Sequence, residues 1–304
     1  MKVIDNNSDL INDFAEKLKL GELIVIPTET VYGLAANALD ENAVKKIFAT
    51  KGRPQDNPLI IHTYSKEKIF EFTQNQPDYI GKLIDTFMPG PLTLVLDKNL
   101  IIPSIVSAGL NTVAIRIPNN EVTLKLLELV DLPLAAPSAN KSGRPSPTKA
   151  QHILDDYKAD ESIYGLIDDS DCEVGIESTI IKCESDKIII LRPGKISKED
   201  LENVVDVKIE EYIGKELLSP GMKYKHYSPD IPVQISKDVV CKDNVLNLSY
   251  IGSNINTTKF DEQNIYSIFR EAEKANYTLI NIIESDELLN NIALYNRIKK
   301  SANQ

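Results

Sequence analysis

The sequence predicts an α/β fold, an open sheet flanked by helices and followed by a smaller α/β domain. Three observations predict it. Short apolar runs of strand length, such as residues 23–26, 59–61 and 92–96, alternate with segments of helical periodicity. Polar loops carrying glycine, proline and hydroxyl residues follow several of those runs, as ligand-binding loops do at the strand ends of open α/β sheets. After a weakly patterned stretch at 206–232, the alternation restarts at Val233 and continues to Gln304.

In order along the chain, Ser8 is suited to cap a first helix that runs to Lys19 and stops at Gly21. Ile11, Phe14 and Leu18 give it an apolar face. A buried strand at 22–27 leads into Pro27-Thr28-Glu29-Thr30-Val31-Tyr32-Gly33-Leu34, a polar loop that heads toward a helix capped by Asp40. Two prolines end that helix in a stiff basic loop, Lys51-Gly52-Arg53-Pro54-Gln55-Asp56-Asn57-Pro58, before a strand at 59–62. A helix at 78–87 stops at Pro89-Gly90-Pro91. Strands at 92–96 and 112–117, a helix at 121–130 and a strand at 132–136 follow. The second polar loop is Pro137-Ser138-Ala139-Asn140-Lys141-Ser142-Gly143-Arg144-Pro145-Ser146, with a helix at 148–157 behind it. Strands are expected at 164–167, 178–182 and 187–191, the last ending at Arg192, and Ser197 caps a final helix. The predicted organisation is a first domain at 1–205, a linker or lid at 206–232 and a Rossmann-like domain at 233–304. The last has strands at 245–248 and 278–282 and helices at 265–275 and 286–300, but no G-x-G-x-x-G.

The chain of 304 residues is 42% hydrophobic and 26% charged, enough for a real core. Its net charge of -11 argues against a general nucleic-acid-binding surface. No apolar run reaches the ~18 residues of a membrane span, and the start does not read as a signal peptide. Three scattered cysteines suit a reduced, cytoplasmic protein better than a disulfide framework or a zinc cluster.

Against that acidic background, cations and hydroxyls collect at strand ends: Lys51 and Arg53 in one loop, Thr112 and Arg116 on one strand, Ser138, Asn140, Lys141, Arg144 and Ser146 in another loop, and Arg192. The clustering suggests a polyphosphate, which arginine grips in a two-pronged fashion and lysine as a point charge. His62 ends a strand beside the first basic loop, and His152 reads as structural. No G-x-S-x-G elbow and no Walker loop is present, and Asp168-Asp169-Ser170-Asp171 reads as a solvated turn rather than a metal site.

The two polar loops, Lys51-Gly52-Arg53-Pro54 with Asn57-Pro58-Leu59, Pro89-Gly90-Pro91, Arg116-Ile117-Pro118 and Ser178-Thr179-Ile180 together resemble the YrdC family over about residues 8–230. Lys225-His226-Tyr227-Ser228-Pro229 is similar to the linker of its long form, which adds a C-terminal domain. The resemblance implies a twisted, largely open sheet around a concave, positively charged cavity. It implies synthesis of threonylcarbamoyl-adenylate and pyrophosphate from L-threonine, bicarbonate and ATP, with Mg²⁺ arriving on the ATP and no dedicated metal site. Downstream transferases then modify tRNA, so tRNA contact is expected to be indirect. By motif, Thr30, His62, Arg116, Ala136 and Ser178 are expected at threonine. Arg53, Asn57, Thr112, Ser138, Asn140, Ser146, Arg192 and Tyr227 are expected at ATP, with Lys51 and Arg53 as the catalytic cations. The linker is expected to fold over the cavity as a lid. Two rival classes are an RNA-binding module, disfavoured by net charge, and carbamoyl transfer from carbamoyl phosphate, which calls for zinc-finger and acylphosphatase modules absent from these residues.

Overall fold

The computed structural model describes residues 1–6, 9–158, 160–214, 219 and 226–302. The first unit runs β1 (Lys2–Asp5), α1 (Ile11–Lys19), β2 (Leu23–Ile26), β3 (Gly33–Asn37), α2 (Glu41–Lys51), β4 (Ile60–His62), α3 (Lys66–Phe72), β5 (Thr73–Gln74), α4 (Ile80–Phe87), β6 (Leu92–Lys98), β7 (Thr112–Arg116), α5 (Glu121–Val130), β8 (Leu134–Ala135), α6 (Ala150–Asp156), β9 (Ile163–Asp168), β10 (Thr179–Cys183), β11 (Lys187–Arg192), α7 (Lys198–Glu202) and β12 (Lys208–Glu211). The second unit comprises β13 (Val233–Ser236), β14 (Val245–Ser249), β15 (Thr258–Lys259), α8 (Ile265–Lys274), β16 (Leu279–Ile283), α9 (Asp286–Asn290) and α10 (Ile292–Ser301).

Among the described residues the first unit forms one mixed sheet in the order β1-β9-β2-β3-β8-β4-β7-β6-β10-β11-β12, with β5 beside β6. Alternation along each strand divides its side chains between two faces. Leu23 and Val25 of β2 pack with Val44, Ile47 and Phe48 of α2. Ile24 and Ile26 turn the other way, onto Phe14 and Leu18 of α1 and Leu126 and Leu127 of α5. Local signals set the helix ends. The Asp40 carboxylate accepts from Asn42 N, Asn120 caps α5, and Ser197 with Asp200 forms a full capping box on α7. Gly52 ends α2 in the left-handed conformation that favours glycine.

Several expectations are corrected. The stretch after Pro27 does not lead straight into a helix. Gly33–Asn37 forms β3, antiparallel to β2 with Ile26 opposite Gly33, so residues 27–32 are a hairpin connection. The Gly-Leu-Ala-Ala run has little intrinsic strand preference and is a strand because both neighbours pair with it. Residues 208–211 belong to the first sheet, parallel to β11, and not to the linker. The expected helix at 286–300 is two helices, broken at Asn291, whose side chain caps α10 by accepting from Leu294 N. α1 starts at Ile11 without a side-chain cap, and the cap expected from Ser8 lies outside the described residues. Residues 215–218 and 220–225 of the linker, including Tyr224, lie outside them as well.

The second unit is a four-stranded parallel sheet, β13-β16-β14-β15, with α8 and α10 packed on it. Its core does not stop at its own boundary. Val31, Ile176 and Tyr227 pack into the same cluster as Leu248, Phe260, Phe269 and Leu294. Gly175 lies at that seam, where a Cβ would meet the backbone of Gln263. No described helix is long and apolar enough to cross a membrane.

Candidate functional site

Strand periodicity aims the first two site residues. In β7, Val113 and Ile115 enter the main core, while Ala114 and Arg116 face the other way. In β4, Ile61 joins the core, and Ile60 and His62 share the opposite face. The two strands are parallel with His62 beside Arg116, so imidazole and guanidinium sit next to each other. Arg192 reaches this face by a bulge. Ile180 pairs with Arg192 but Ile181 with Ile190, so Leu191 is the extra residue. Without it, Arg192 would share the face of Ile190.

Arg116 is buried and held on three sides. Its Nε donates to Gly90 O at 3.0 Å, its Nη1 donates to Thr30 Oγ1 at 3.0 Å, and its Nη2 lies 2.7 Å from Glu29 Oε1. Thr28 Oγ1 donates to Val31 O at 2.7 Å, so the Thr30 hydroxyl must be the donor in its 2.8 Å contact with Thr28. The threonine loop is thereby locked with Thr30 facing the cavity. Burial, and then the neighbouring Arg116 charge, lower the His62 pKa to about 3, so the imidazole is neutral at physiological pH.

The second cation cluster is built on the end of α2. The Lys51 amine, 3% exposed, donates to Ser138 O and Asn140 O and so pins the second polar loop to the first. Burial, reinforced by Arg53, pushes its pKa well below the usual lysine value. Asn140 Oδ1 accepts from Ser138 Oγ at 2.7 Å, while its Nδ2 donates to Lys141 O and Arg144 O. Arg53 donates to Asn57 O and Pro58 O, which fixes it along the stiff loop. Across the cavity, Ser178 Oγ lies 2.8 Å from Thr93 Oγ1, and Arg192 donates to both Ser178 O and Ser178 Oγ.

Thr30, Lys51, Arg53, His62, Arg116, Ala136, Ser138, Asn140, Ser178, Arg192 and Tyr227 thus line one cavity. Asn57 and Ser146 stand one layer back. Asn57 offers its carbonyl to Arg53, and Ser146 donates to Glu177 Oε1 at 2.5 Å. Thr112 is not brought to the site. It starts β7 while Arg116 ends it, roughly 13 Å away at the usual strand rise, and lines a separate recess with Asn75, Asp97 and Lys182. Lys141 and Arg144 also leave the constellation. Lys141 pairs with Asp160 at 3.0 Å, and Arg144 pairs with Asp230 of the linker and Glu273 of the second unit.

Sequence reasoning missed Glu29, Thr93, Glu177, Tyr266 and Arg297. Glu29 sat inside a recognised loop, next to a hydroxyl pair, and a buried cation elsewhere required a buried anion. The others meet only through long-range contacts. Burial works to raise the Glu177 carboxyl, but Arg297 and Arg192 outweigh it and hold the group below the ordinary carboxylate range. No group of three or more His, Cys, Asp or Glu among the described residues could hold a metal ion. Asp169 accepts from Asn6 and Asn120, in a turn whose Asp168, Ser170 and Asp171 are exposed.

All three histidines are neutral in the fold. Burial lowers His62 and His226 to about 3 and His152 to about 4, with Arg116, Arg53 and Arg270 as the next causes in turn. The unfolded chain binds these protons near pH 6.5 and the folded chain does not. Stability is therefore expected to fall as pH drops below about 6.5, by up to about 1.4 kcal/mol per pH unit for each histidine. Thermal melts between pH 7.5 and 5 check this, and a Tm that stays level over that range contradicts it.

The cavity's free volume is about 60 Å³, room for roughly two waters. A ligand of nucleotide size needs a site of several hundred Å³, so one wall must move for it to enter. His226 and Tyr227, from the far end of the linker, form part of that wall.

Residues 16–194 match the Sua5_yciO_yrdC family model, described as telomere recombination, and residues 196–303 match the model of the threonylcarbamoyl-AMP synthase C-terminal domain. A threonylcarbamoyl-AMP synthase of Pyrococcus abyssi is 47% identical over 221 residues, covering 71% of this chain and 64% of that protein. One from Bacillus subtilis is 43% identical over 237 residues, covering 76% and 68%. The chain therefore spans less than two thirds of the length of the first relative. The crystal structure of P. abyssi Sua5 complexed with L-threonine superposes with a TM-score of 0.88 at 36% identity, covering 99% of this chain and 97% of that one.

Proposed function

This chain belongs to the Sua5_yciO_yrdC family, and from that premise we propose that it joins L-threonine, bicarbonate and ATP into threonylcarbamoyl-adenylate with release of pyrophosphate. The observation that carries the reading is the convergence of Lys51, Arg53, Arg116 and Arg192 on one cavity in a chain of net charge -11. Four cations gathered against the overall charge call for a polyanion together with a carboxylate.

Arg116 takes the threonine carboxylate. Two of its five N–H groups donate hydrogen bonds within the protein and Nη2 forms an ion pair with Glu29, so donors remain for a ligand. Thr30, neutral His62 and Ser178 read the amine and side-chain hydroxyl, and Ala136 forms an apolar wall. Lys51, Arg53 and Arg192 take the phosphates, with Ser138, Asn140 and Tyr227 around the nucleotide. Asn57 and Ser146 act from behind, by holding Arg53 and Glu177.

The threonine amine and bicarbonate give a carbamate with loss of water. A carbamate oxygen then attacks the α-phosphorus, the bond from that phosphorus to the bridging oxygen breaks, and pyrophosphate leaves. No protein nucleophile is needed. Catalysis rests on placing the carbamate in line with the leaving group and on stabilising charge at phosphorus. Both oxygens of Glu177 are already engaged by Ser146, Tyr266 and Arg297, which suits a Mg²⁺ ion carried by the ATP phosphates. Such an ion would neutralise phosphate charge when bound. Exclusion of water by the wall containing His226 and Tyr227 would protect both the carbamate and the mixed anhydride, so the linker acts as a lid. In the cytoplasm, the product would pass to transferases that modify tRNA, with no direct RNA contact required of this chain.

Two measurements test the reading together. Mass spectrometry of the reaction mixture is expected to show threonylcarbamoyl-adenylate. Valine, which matches threonine in shape but lacks the hydroxyl, is expected to give at least about tenfold lower kcat/KM, because a site that hydrogen-bonds a hydroxyl leaves its own polar groups unpaired with the analogue. Equal turnover of the two amino acids would contradict a hydroxyl-reading pocket.

A further inference from the structure

The seam between the two units runs directly behind the cavity, and one side chain of the second unit crosses it. Arg297 of α10 is 1% exposed. Its Nε donates to Glu177 Oε2 at 2.9 Å, its Nη2 to Glu177 O at 3.1 Å and its Nη1 to Pro193 O at 2.7 Å. Glu177 precedes Ser178 and Pro193 follows Arg192, so one guanidinium grips both chain segments that deliver these residues to the cavity. The two segments lie so close that a Cβ on Gly194 would meet Thr179 N and Ser178 C. Tyr266 of α8, also 1% exposed, donates its hydroxyl to Glu177 Oε2 at 3.1 Å.

The same two side chains hold the linker. The Tyr227 ring stacks on Tyr266 with centroids 5.6 Å apart, and the Arg297 guanidinium lies 5.6 Å from the Tyr227 centroid. Tyr227 has φ 64°, a left-handed conformation that a bulky residue keeps only where its surroundings enforce it. Ser228 N donates to Gly143 O and Ser228 Oγ to Ser301 O, so the next residue is tied to both units.

We propose that Arg297 and Tyr266 are positioning residues for the adenylate-forming site, a clasp through which the C-terminal unit sets Ser178, Arg192 and Tyr227. The proposal rests on the function given above for this cavity and adds to it a cause for the second unit: the site is complete only when that unit is docked. Neither side chain lines the cavity itself. Arg297 also reaches the backbone of Glu177 and Pro193, next to the cavity residues Ser178 and Arg192, so its contacts bear on the site as well as on the join between the units. Arg270 with Asp156 and Arg144 with Glu273 already join them elsewhere.

The test uses the full chain with Arg297→Met, Arg297→Lys and Tyr266→Phe, read by hydrogen exchange and by steady-state kinetics. In Arg297→Met, the segment 226–230 is expected to exchange at least about tenfold faster while β16 keeps its protection, and threonine-dependent kcat is expected to fall at least about tenfold. Arg297→Lys should recover part of both, because it keeps the charge but not the fork. Tyr266→Phe should give a smaller loss, of about threefold. A role in folding alone would instead lower protection in both units and leave kcat per folded molecule unchanged. Native exchange at 226–230 and native kcat in a folded Arg297→Met protein would overturn the proposal. If that variant does not fold, the same result in Tyr266→Phe overturns it. Absence of threonine-dependent turnover in the unsubstituted chain would count against the assigned function, and the exchange of 226–230 would still decide whether the clasp exists.

Discussion

Arg116→Ala is expected to lower threonine-dependent turnover by at least about 100-fold. A two-pronged contact with the substrate carboxylate would be lost, and each hydrogen bond to a charged group contributes about 1.5–3 kcal/mol. The same change strands Glu29. That carboxylate is 6% exposed, and Arg116 lies 2.7 Å from it. Breaking a buried pair from one side destabilises a protein by about 3–5 kcal/mol, so Arg116→Ala should also melt early. The double variant Glu29→Gln with Arg116→Met separates the two effects, because it removes both charges. It is expected to regain most of the lost stability, measured by denaturant unfolding, and to remain inactive. A double variant with native threonine kinetics would remove Arg116 from the substrate site.

Lys51→Met is expected to cost at least about 50-fold in kcat/KM for ATP. Methionine keeps much of the side chain's bulk but cannot donate to Ser138 O and Asn140 O. Two carbonyls lose their partner, at about 1–3 kcal/mol each where they stay buried. The loop that presents Ser138 and Asn140 loses its tie to the basic loop, and the phosphates lose a point charge. Lys141→Met is the control. Lys141 belongs to the same loop but pairs with Asp160 and donates to Thr50 O, so its loss should leave kcat/KM within about twofold. If Lys51→Met stays within threefold of the native value, the amine is neither a phosphate contact nor a pin.

What could be read from sequence follows from how local each cause is. Helix α5 was legible because its cap and its apolar face lie within eleven residues, from Asn120 to Val130. Strand β7 was legible because its alternation is uninterrupted. β3 was not, since the small residues of Gly33–Asn37 carry no pattern of their own and β2 and β8 impose the strand on them. Composition could not separate Lys51 from Lys141 or Arg53 from Arg144. All four are cations in polar loops, and only the partners tell which face the cavity. Thr112 is expected at ATP by its motif alone, whereas the structure places it at the other end of β7 from Arg116, in a separate recess. Arg192 was expected at the site, but the one-residue bulge that aims it is visible only in the pairing with β10. The clasp of Glu177, Tyr266 and Arg297 was out of reach, because the partners are separated by 89 and 120 positions.

The most direct measurement is pyrophosphate release from ATP in the presence of Mg²⁺, with threonine and bicarbonate each left out in turn. Release that needs both, and stops when either is missing, is the expected result. Release that continues at the full rate without threonine would contradict threonylcarbamoyl-adenylate synthesis.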